Sequence, residues 1–327
     1  MYADALESLL TDLWPPHVVR TMEHDGPPDL RSAGWDRLME AGFADLLLTE
    51  SSGGPGLEMT EILELFRVLG RTAAPLPLAA TWVARRCLPA AWAGDEPLAI
   101  ALATRQPEGG LDCARVPGGR FVRRVLVGVD GDLLLLDATE AQVRQPVGDP
   151  RGQAQHMVWH RPQPIWQQAT GGWAVRDWMA AATAAQSSAL LHRVLDMTLE
   201  HCNQRHQFGR SIGQFQAVQH QLSVMAEHVL AASLATALPF SGPQSEPGSL
   251  PAAVAKARAS EAGALVAASA HALHGAIGIT DEHLLGLFTR RLAQWRMDYG
   301  SESYWYRTIG GHTLSDPRSV LDQLTAL

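Results

Sequence analysis

One polar, glycine-marked break between two periodic apolar stretches constrains this chain more than any other feature. Leu191, Val194, Leu195, Thr198, Leu199 and Cys202 fall at three- and four-residue steps, the pattern of an amphipathic helix that buries one face. Phe215, Val218, Leu222, Met225 and Val229 alternate at the same steps, the seam of a helix packed in a bundle. Arg205-His-Gln-Phe-Gly-Arg-Ser-Ile-Gly-Gln-Phe-Gln-Ala-Val-Gln-His220 joins the two, so Arg205 stands just past one helix end. A guanidinium there can fork onto a phosphate, Gly209 permits close backbone approach, and the next helix N-terminus favours an anion. Taken alone, the same residues also suit an interhelix loop whose Arg caps helix carbonyls.

Helical patterns recur before this break and after it. Leu6, Leu9, Leu10 and Leu13, then Leu38 and Met39, then Ile62, Leu63, Phe66 and Leu69 mark an all-helical block over residues 1–95. Residues 96–170 change texture to short β-branched or Leu runs, and Arg124-Val-Leu-Val-Gly-Val-Asp-Gly-Asp-Leu-Leu-Leu-Leu-Asp137 reads as a hairpin turning at Asp130-Gly131. A small antiparallel sheet or barrel is expected there. Residues 171–327 return to helix, with an Ala-rich helix from about Pro251 to Leu273 after a Pro/Ser/Gly-rich connection at Pro239 to Gly248. The fold class is therefore α+β, mostly α, with a C-terminal four-helix bundle.

Three separated blocks add a resemblance to the acyl-CoA dehydrogenase family. The Arg205 stretch resembles its flavin-gripping loop; His271-Ala-Leu-His-Gly-Ala-Ile-Gly-Ile-Thr280 with Phe288-Thr-Arg-Arg291 resembles its second flavin segment. Trp35-Asp-Arg-Leu-Met-Glu-Ala-Gly-Phe43, Glu50-Ser-Ser-Gly-Gly-Pro-Gly56 and Leu69-Gly-Arg-Thr-Ala-Ala-Pro-Leu-Pro77 resemble its opening helical domain. The resemblance implies an N-terminal helical domain, a small β domain, here trimmed, and a helical bundle. It also implies FAD, with Arg205 on the pyrophosphate, Gln207, Phe208 and Gly209 shaping the loop, and Phe215 and Gln216 near the adenosine end. Phe208 and Phe215 equally suit core packing. His274, Gly275, Ala276 and Gly278 match the second segment, but the family's flavin-contacting Gln is Ala272 here.

The family's chemistry needs a base to take the proton beside the thioester while a hydride leaves the neighbouring carbon. Most members carry a Glu in a Tyr-Glu-Gly-Thr-like stretch before an Arg. In Tyr299-Gly-Ser-Glu-Ser-Tyr-Trp-Tyr-Arg307 the matching position is Gly300. Glu302, two residues on, is the candidate base if that turn is rebuilt; Asp298 is weaker. The alternative site used by some members falls on Met179, with Asp177 on the wrong helix face. The Thr-Glu-Pro-x-x-Gly-Ser-like loop that touches the flavin ring is missing from residues 97–140, and so is the Trp-Ile-Thr/Ser stretch.

These departures lead to the expectation of a hetero-oligomer in which a second acyl-CoA dehydrogenase-like subunit supplies the base and ring pocket for an acyl-CoA substrate. A self-sufficient homo-oligomer with a displaced base and a flavin-free scaffold are the alternatives. A net charge of −8 speaks against general nucleic-acid binding. The acidic start, Met1-Tyr-Ala-Asp-Ala-Leu-Glu, and the lack of an uninterrupted apolar run of bilayer length predict a cytoplasmic, non-membrane protein. Cys87, Cys113 and Cys202 share no metal or redox spacing and suit a reducing compartment, and His220, His228, His271 and His274 lack a partner at metal-ligand spacing.

Overall fold

The computed structural model describes residues 1–23, 28–146, 153–169, 171–242, 245–319 and 321–322. They form two compact units: Met1–Leu65 with Ala74–Met179, and Phe66–Ala73 with Ala180–Leu327. The expected helical segment 1–95 and β segment 96–170 thus share the first unit, apart from Phe66–Ala73.

Helices α1 (Tyr2–Leu13), α2 (Pro16–Glu23), α3 (Pro28–Glu40), α4 (Met59–Thr72), α5 (Leu78–Cys87) and α6 (Ala90–Ala93) precede the strands. Strands β1 (Leu98–Leu102), β2 (Thr104–Arg105), β3 (Leu111–Val116), β4 (Arg124–Val129), β5 (Asp132–Asp137), β6 (Gln142–Arg144), β7 (Gln155–Trp159) and β8 (Trp166–Gln168) form two four-stranded sheets, ordered β1-β4-β5-β8 and β2-β3-β7-β6. Leu111, Cys113, Val125, Val127, Leu136, Met157 and Trp159 make the apolar layer they share. Trp159 Nε1 donates to the Asp137 carbonyl at 2.9 Å, pinning one sheet to the other. The hairpin turns where expected: Val129 pairs with Asp132, and Asp130 and Gly131 both have positive φ, 51° and 90°. That is the primed turn whose twist matches its strands.

One pairing departs from the antiparallel expectation, since β1 runs parallel to β4. The intervening β2 and β3 lie in the other sheet, so the chain returns to β4 by a crossover, which permits parallel pairing. The outer face of β1 is closed by α5, where Thr81 Oγ1 donates to the Leu98 carbonyl at 3.1 Å and accepts from its N–H at 3.0 Å.

In the second unit, α7 (Gly172–Gln204, which begins in the first unit), α8 (Gln216–Ala237) and α9 (Ser249–His274) are long helices, and two shorter ones, α10 (Leu285–Met297) and α11 (Glu302–Ser315), pack against α9, so the expected four-helix bundle carries a fifth helix. Alanines explain why α9 can be central. Ala252, Ala253, Ala255, Ala257, Ala259 and Ala262 are all buried, so α8, α10 and α11 each approach its backbone closely. Close approach is sharper still at Gly70 in α4, where a Cβ would lie 2.1 Å from the Gln186 carbonyl oxygen. Gly70→Ala is expected to cost about 1–3 kcal/mol through overpacking, read as a lower thermal midpoint with unchanged far-UV dichroism.

Two helical stretches, Gln216–Phe240 and Ser249–Ile279, are long and apolar enough to cross a membrane by length and composition. Neither stretch is an uninterrupted apolar run, since both are diluted with neutral Gln, Ser and His, and this is why they depart from the expectation based on apolar run length. Only 33% of the most apolar window of each is buried, and Leu230, Leu234 and Leu265 are exposed.

Candidate functional site

Helix α7 ends where its periodicity stops, the Arg205 N–H closing the last turn on the His201 carbonyl at 2.9 Å. The chain then makes a miniature hairpin of β9 (His206–Gln207) and β10 (Arg210–Ser211). Its two turn residues, Phe208 and Gly209, have φ of 51° and 81°. A left-handed phenylalanine is unusual, and the residue is 92% exposed. The Ile212 N–H donates to the Arg205 carbonyl at 2.8 Å, so the Arg205 backbone is gripped from both sides. Its exposed guanidinium makes no hydrogen bond or ion pair among the described residues. The carbonyl-capping alternative for Arg205 is therefore not the one adopted.

Phe215 caps the start of α8 and is half-buried. The Arg210 guanidinium lies 4.2 Å from the centre of its ring, and the Phe208 ring meets it edge-on at 6.3 Å. Leu222, Met225 and Val229 are buried as the seam predicts, whereas Phe215 and Val218 are only partly covered. Gln207 and Gln216 are exposed on either side.

The structure brings the second segment to the first. His274 closes α9, and Gly275 follows at φ 63° with open space where a Cβ would stand. Ala276 is exposed; Gly278 is buried, and a Cβ there would lie 2.9 Å from the His274 Cβ. His201, one turn before Arg205, stacks on His274 with ring centres 4.3 Å apart, and His283 meets His274 at 5.0 Å. Sequence reasoning passed over His201 and His283. Only the position of His201 four residues before Arg205 could have flagged it.

His274 is 5% exposed, and burial pushes its pKa down to about 4, with His201, His283 and His271 adding to the depression. Burial likewise lowers His201 and His271. An imidazole neutral in the fold but titrating near 6.5 when unfolded binds fewer protons natively. Stability is therefore lost as pH falls from about 6.5 toward about 4, by up to about 3 kcal/mol for His274. Denaturant midpoints at pH 7 and 4.5 should converge between wild type and His274→Phe as acid is added.

Around the expected base position, the turn is tightly tied. Tyr299 and Gly300 have φ of 58° and 106°. Glu302 is held by Arg296 in a two-pronged ion pair, Nε to Oε2 at 2.8 Å and Nη2 to Oε1. That pairing lowers its pKa, which makes it a weaker base. Lys256, fully buried on α9, donates to Ser260 Oγ at 2.9 Å, the Arg296 carbonyl at 3.1 Å and the Gly300 carbonyl at 2.9 Å. Asp298 is buried nearby and its charge acts on Lys256. Asp177 is buried and paired with Arg176 at 3.1 Å.

The chain is similar to known proteins along nearly its whole length. The family described as acyl-CoA dehydrogenase, C-terminal domain, matches residues 175–310. The acyl-CoA dehydrogenase IpdE2 of Mycobacterium tuberculosis is 31% identical over 317 residues, 92% of each chain. IpdE2 of Mycolicibacterium smegmatis is 28% identical, covering 82% of this chain and 87% of its own. Among solved structures, the ChsE4-ChsE5 complex of Mycobacterium tuberculosis superposes with a TM-score of 0.82 at 21% identity over 97% of both chains. A variant of the Tcur3481-Tcur3483 steroid ACAD gives 0.78 at 24% identity over 94% of this chain and 95% of that one. With the mostly helical α+β architecture and this similarity along nearly the whole chain, this chain belongs to the acyl-CoA dehydrogenase family.

Proposed function

We propose that this chain is one subunit of a two-chain, FAD-dependent acyl-CoA dehydrogenase, holding the cofactor's phosphates while a related partner supplies the catalytic base. The observation that carries this reading is a contrast within one unit: Arg205 stands exposed beside a short hairpin and unpaired among the described residues, while the base position is a glycine that has no room for a side chain. The donor set suits the phosphate end of FAD. It comprises a guanidinium unpaired among the described residues, open glycine backbones at Gly209 and Gly275, and a buried His274 Nε2 that has no partner among those residues and would donate only once protonated. Bound FAD would accept the hydride taken from the β-carbon of an acyl-CoA thioester.

This chain's residues bind and orient. Arg205 would fork onto a phosphate, Gly209 and Gly275 allow the backbone to approach, and Phe208 offers an aromatic face beside it. Gln207 would help shape the loop, and the exposed Gln216 and half-buried Phe215 would approach an adenosine end. Glu302 is committed to Arg296 rather than to proton removal. The partner surface that fits this reading is the outward side of α8 and α9, where Leu230, Leu234 and Leu265 are exposed. Two similar structures are of paired chains, ChsE4-ChsE5 and Tcur3481-Tcur3483, and the second is a steroid enzyme. Their pairing supports a heteromer, and a CoA thioester as substrate suits a cytoplasmic protein.

Arg205→Ala is the test. The co-purified complex should lose FAD at least tenfold more readily, the loss expected for one charge-assisted phosphate contact of about 1.5–3 kcal/mol. Unchanged retention would sink the role assigned to Arg205. FAD held firmly by this chain alone would favour the self-sufficient reading, and no FAD with any partner would favour a scaffold.

A further inference from the structure

We propose that His201, His274 and His283 form a proton-linked phosphate subsite: a nucleotide phosphate bound against the imidazole stack is met by an imidazolium that forms as the ligand arrives. The ligand class is a phosphate ester. Two sources share that chemistry, the pyrophosphate of a flavin dinucleotide and the phosphates of coenzyme A.

The tautomer of His274 fixes where the proton goes. Its Nδ1 lies 2.8 Å from the Ala270 carbonyl, an atom that can only accept, so Nδ1 carries the hydrogen and Nε2 is the basic nitrogen. That Nε2 is buried and has no hydrogen-bond partner among the described residues. A buried nitrogen without a partner is costly, and a phosphate oxygen would satisfy it once the nitrogen is protonated. The required proton comes from solvent, and no bond is broken beyond that transfer.

Neighbouring groups set the default state to neutral. His201 lies on one face of the His274 ring with an interplanar angle of 22°, and His283 approaches at 60°. From α9, His271 points Nε2 at Thr289 Oγ1 of α10, 2.8 Å away. From the end of α7, the Arg205 charge is felt at His201. The exposed Asp281 and Glu282 share the His283 loop, but the charges that act on His201 and His274 are imidazole or guanidinium. Gathered basic groups of this kind resist protonation until an anion offsets the added charge. Open space at Gly209 and Gly275 leaves both loops approachable by a bulky phosphate.

The flavin arm of this proposal rests on the function proposed above; the coenzyme A arm does not. FAD and, separately, coenzyme A are titrated calorimetrically at pH 6.5 into the flavin-stripped complex, in buffers of different ionisation enthalpy. Proton uptake is expected with one of them, with affinity tightening by up to about tenfold per pH unit on acidification for one linked proton. His201→Phe and His274→Phe should still bind, with the uptake reduced or lost. Uptake with FAD assigns the stack to the pyrophosphate. Uptake with coenzyme A alone keeps the subsite but removes the flavin assignment of the Arg205 hairpin. Binding without uptake, uptake unchanged in both variants, or no binding of either ligand overturns the subsite. Should His274→Phe fail to fold, the half-exposed His201→Phe decides.

Discussion

Gly300→Glu, which places a carboxylate where most acyl-CoA dehydrogenases carry their base, should destabilise this chain rather than activate it. Two costs add. Gly300 has φ of 106°, a backbone state that side-chain-bearing residues rarely adopt, worth about 1–3 kcal/mol of strain. A Cβ built there lies 2.8 Å from Tyr304 Cδ1 and 2.9 Å from Trp305 Nε1. Trp305 is fully buried and donates to the Tyr299 carbonyl at 3.2 Å, so it has nowhere to retreat. Overpacking adds about 1–3 kcal/mol more. Thermal melts should show a large fall in midpoint, and turnover of the chain with acyl-CoA should stay at background. A well-folded, active Gly300→Glu protein would mean that the turn can be rebuilt.

Lys256→Met is expected to be as damaging, by about 3 kcal/mol near neutral pH. Lys256 gives hydrogen bonds to Ser260, Arg296 and Gly300. Its loss leaves two backbone carbonyls short of a donor and removes a buried cation whose charge interacts with Asp298 and Glu302. The pH dependence carries a sign. Burial pushes the Lys256 pKa from 10.5 down to about 7, against the pull of Asp298 and Glu302. Between those values the unfolded chain holds a proton that the native amine has released, so wild-type stability rises with pH across this window. The methionine variant lacks that rise. Its deficit, measured by urea unfolding at pH 7 and pH 9, should therefore grow on the alkaline side.

Local chemistry made much of this fold legible from sequence. The Asp130-Gly131 turn, the end of α7 before Arg205 and the Ala-rich α9 all follow from residue types with narrow backbone preferences. The parallel β1 and β4 pair was not legible, because it depends on which sheet the intervening strands join. At the site, the Arg205 hairpin and the His274 segment could each be read by motif. Their meeting through His201 and His283 could not, since it depends on how the ends of α7 and α9 converge. Glu302 shows the same limit. Its position two residues beyond Gly300 is visible in sequence, but its capture by Arg296 belongs to the packing of α10 against the start of α11.

Flavin content and acyl-CoA turnover, measured on this chain alone and on its complex with a co-expressed acyl-CoA dehydrogenase-like partner, bear most directly on the central claim. FAD and turnover in the complex, with neither in the isolated chain, are the predicted result. Stoichiometric FAD with turnover in the isolated chain would contradict it.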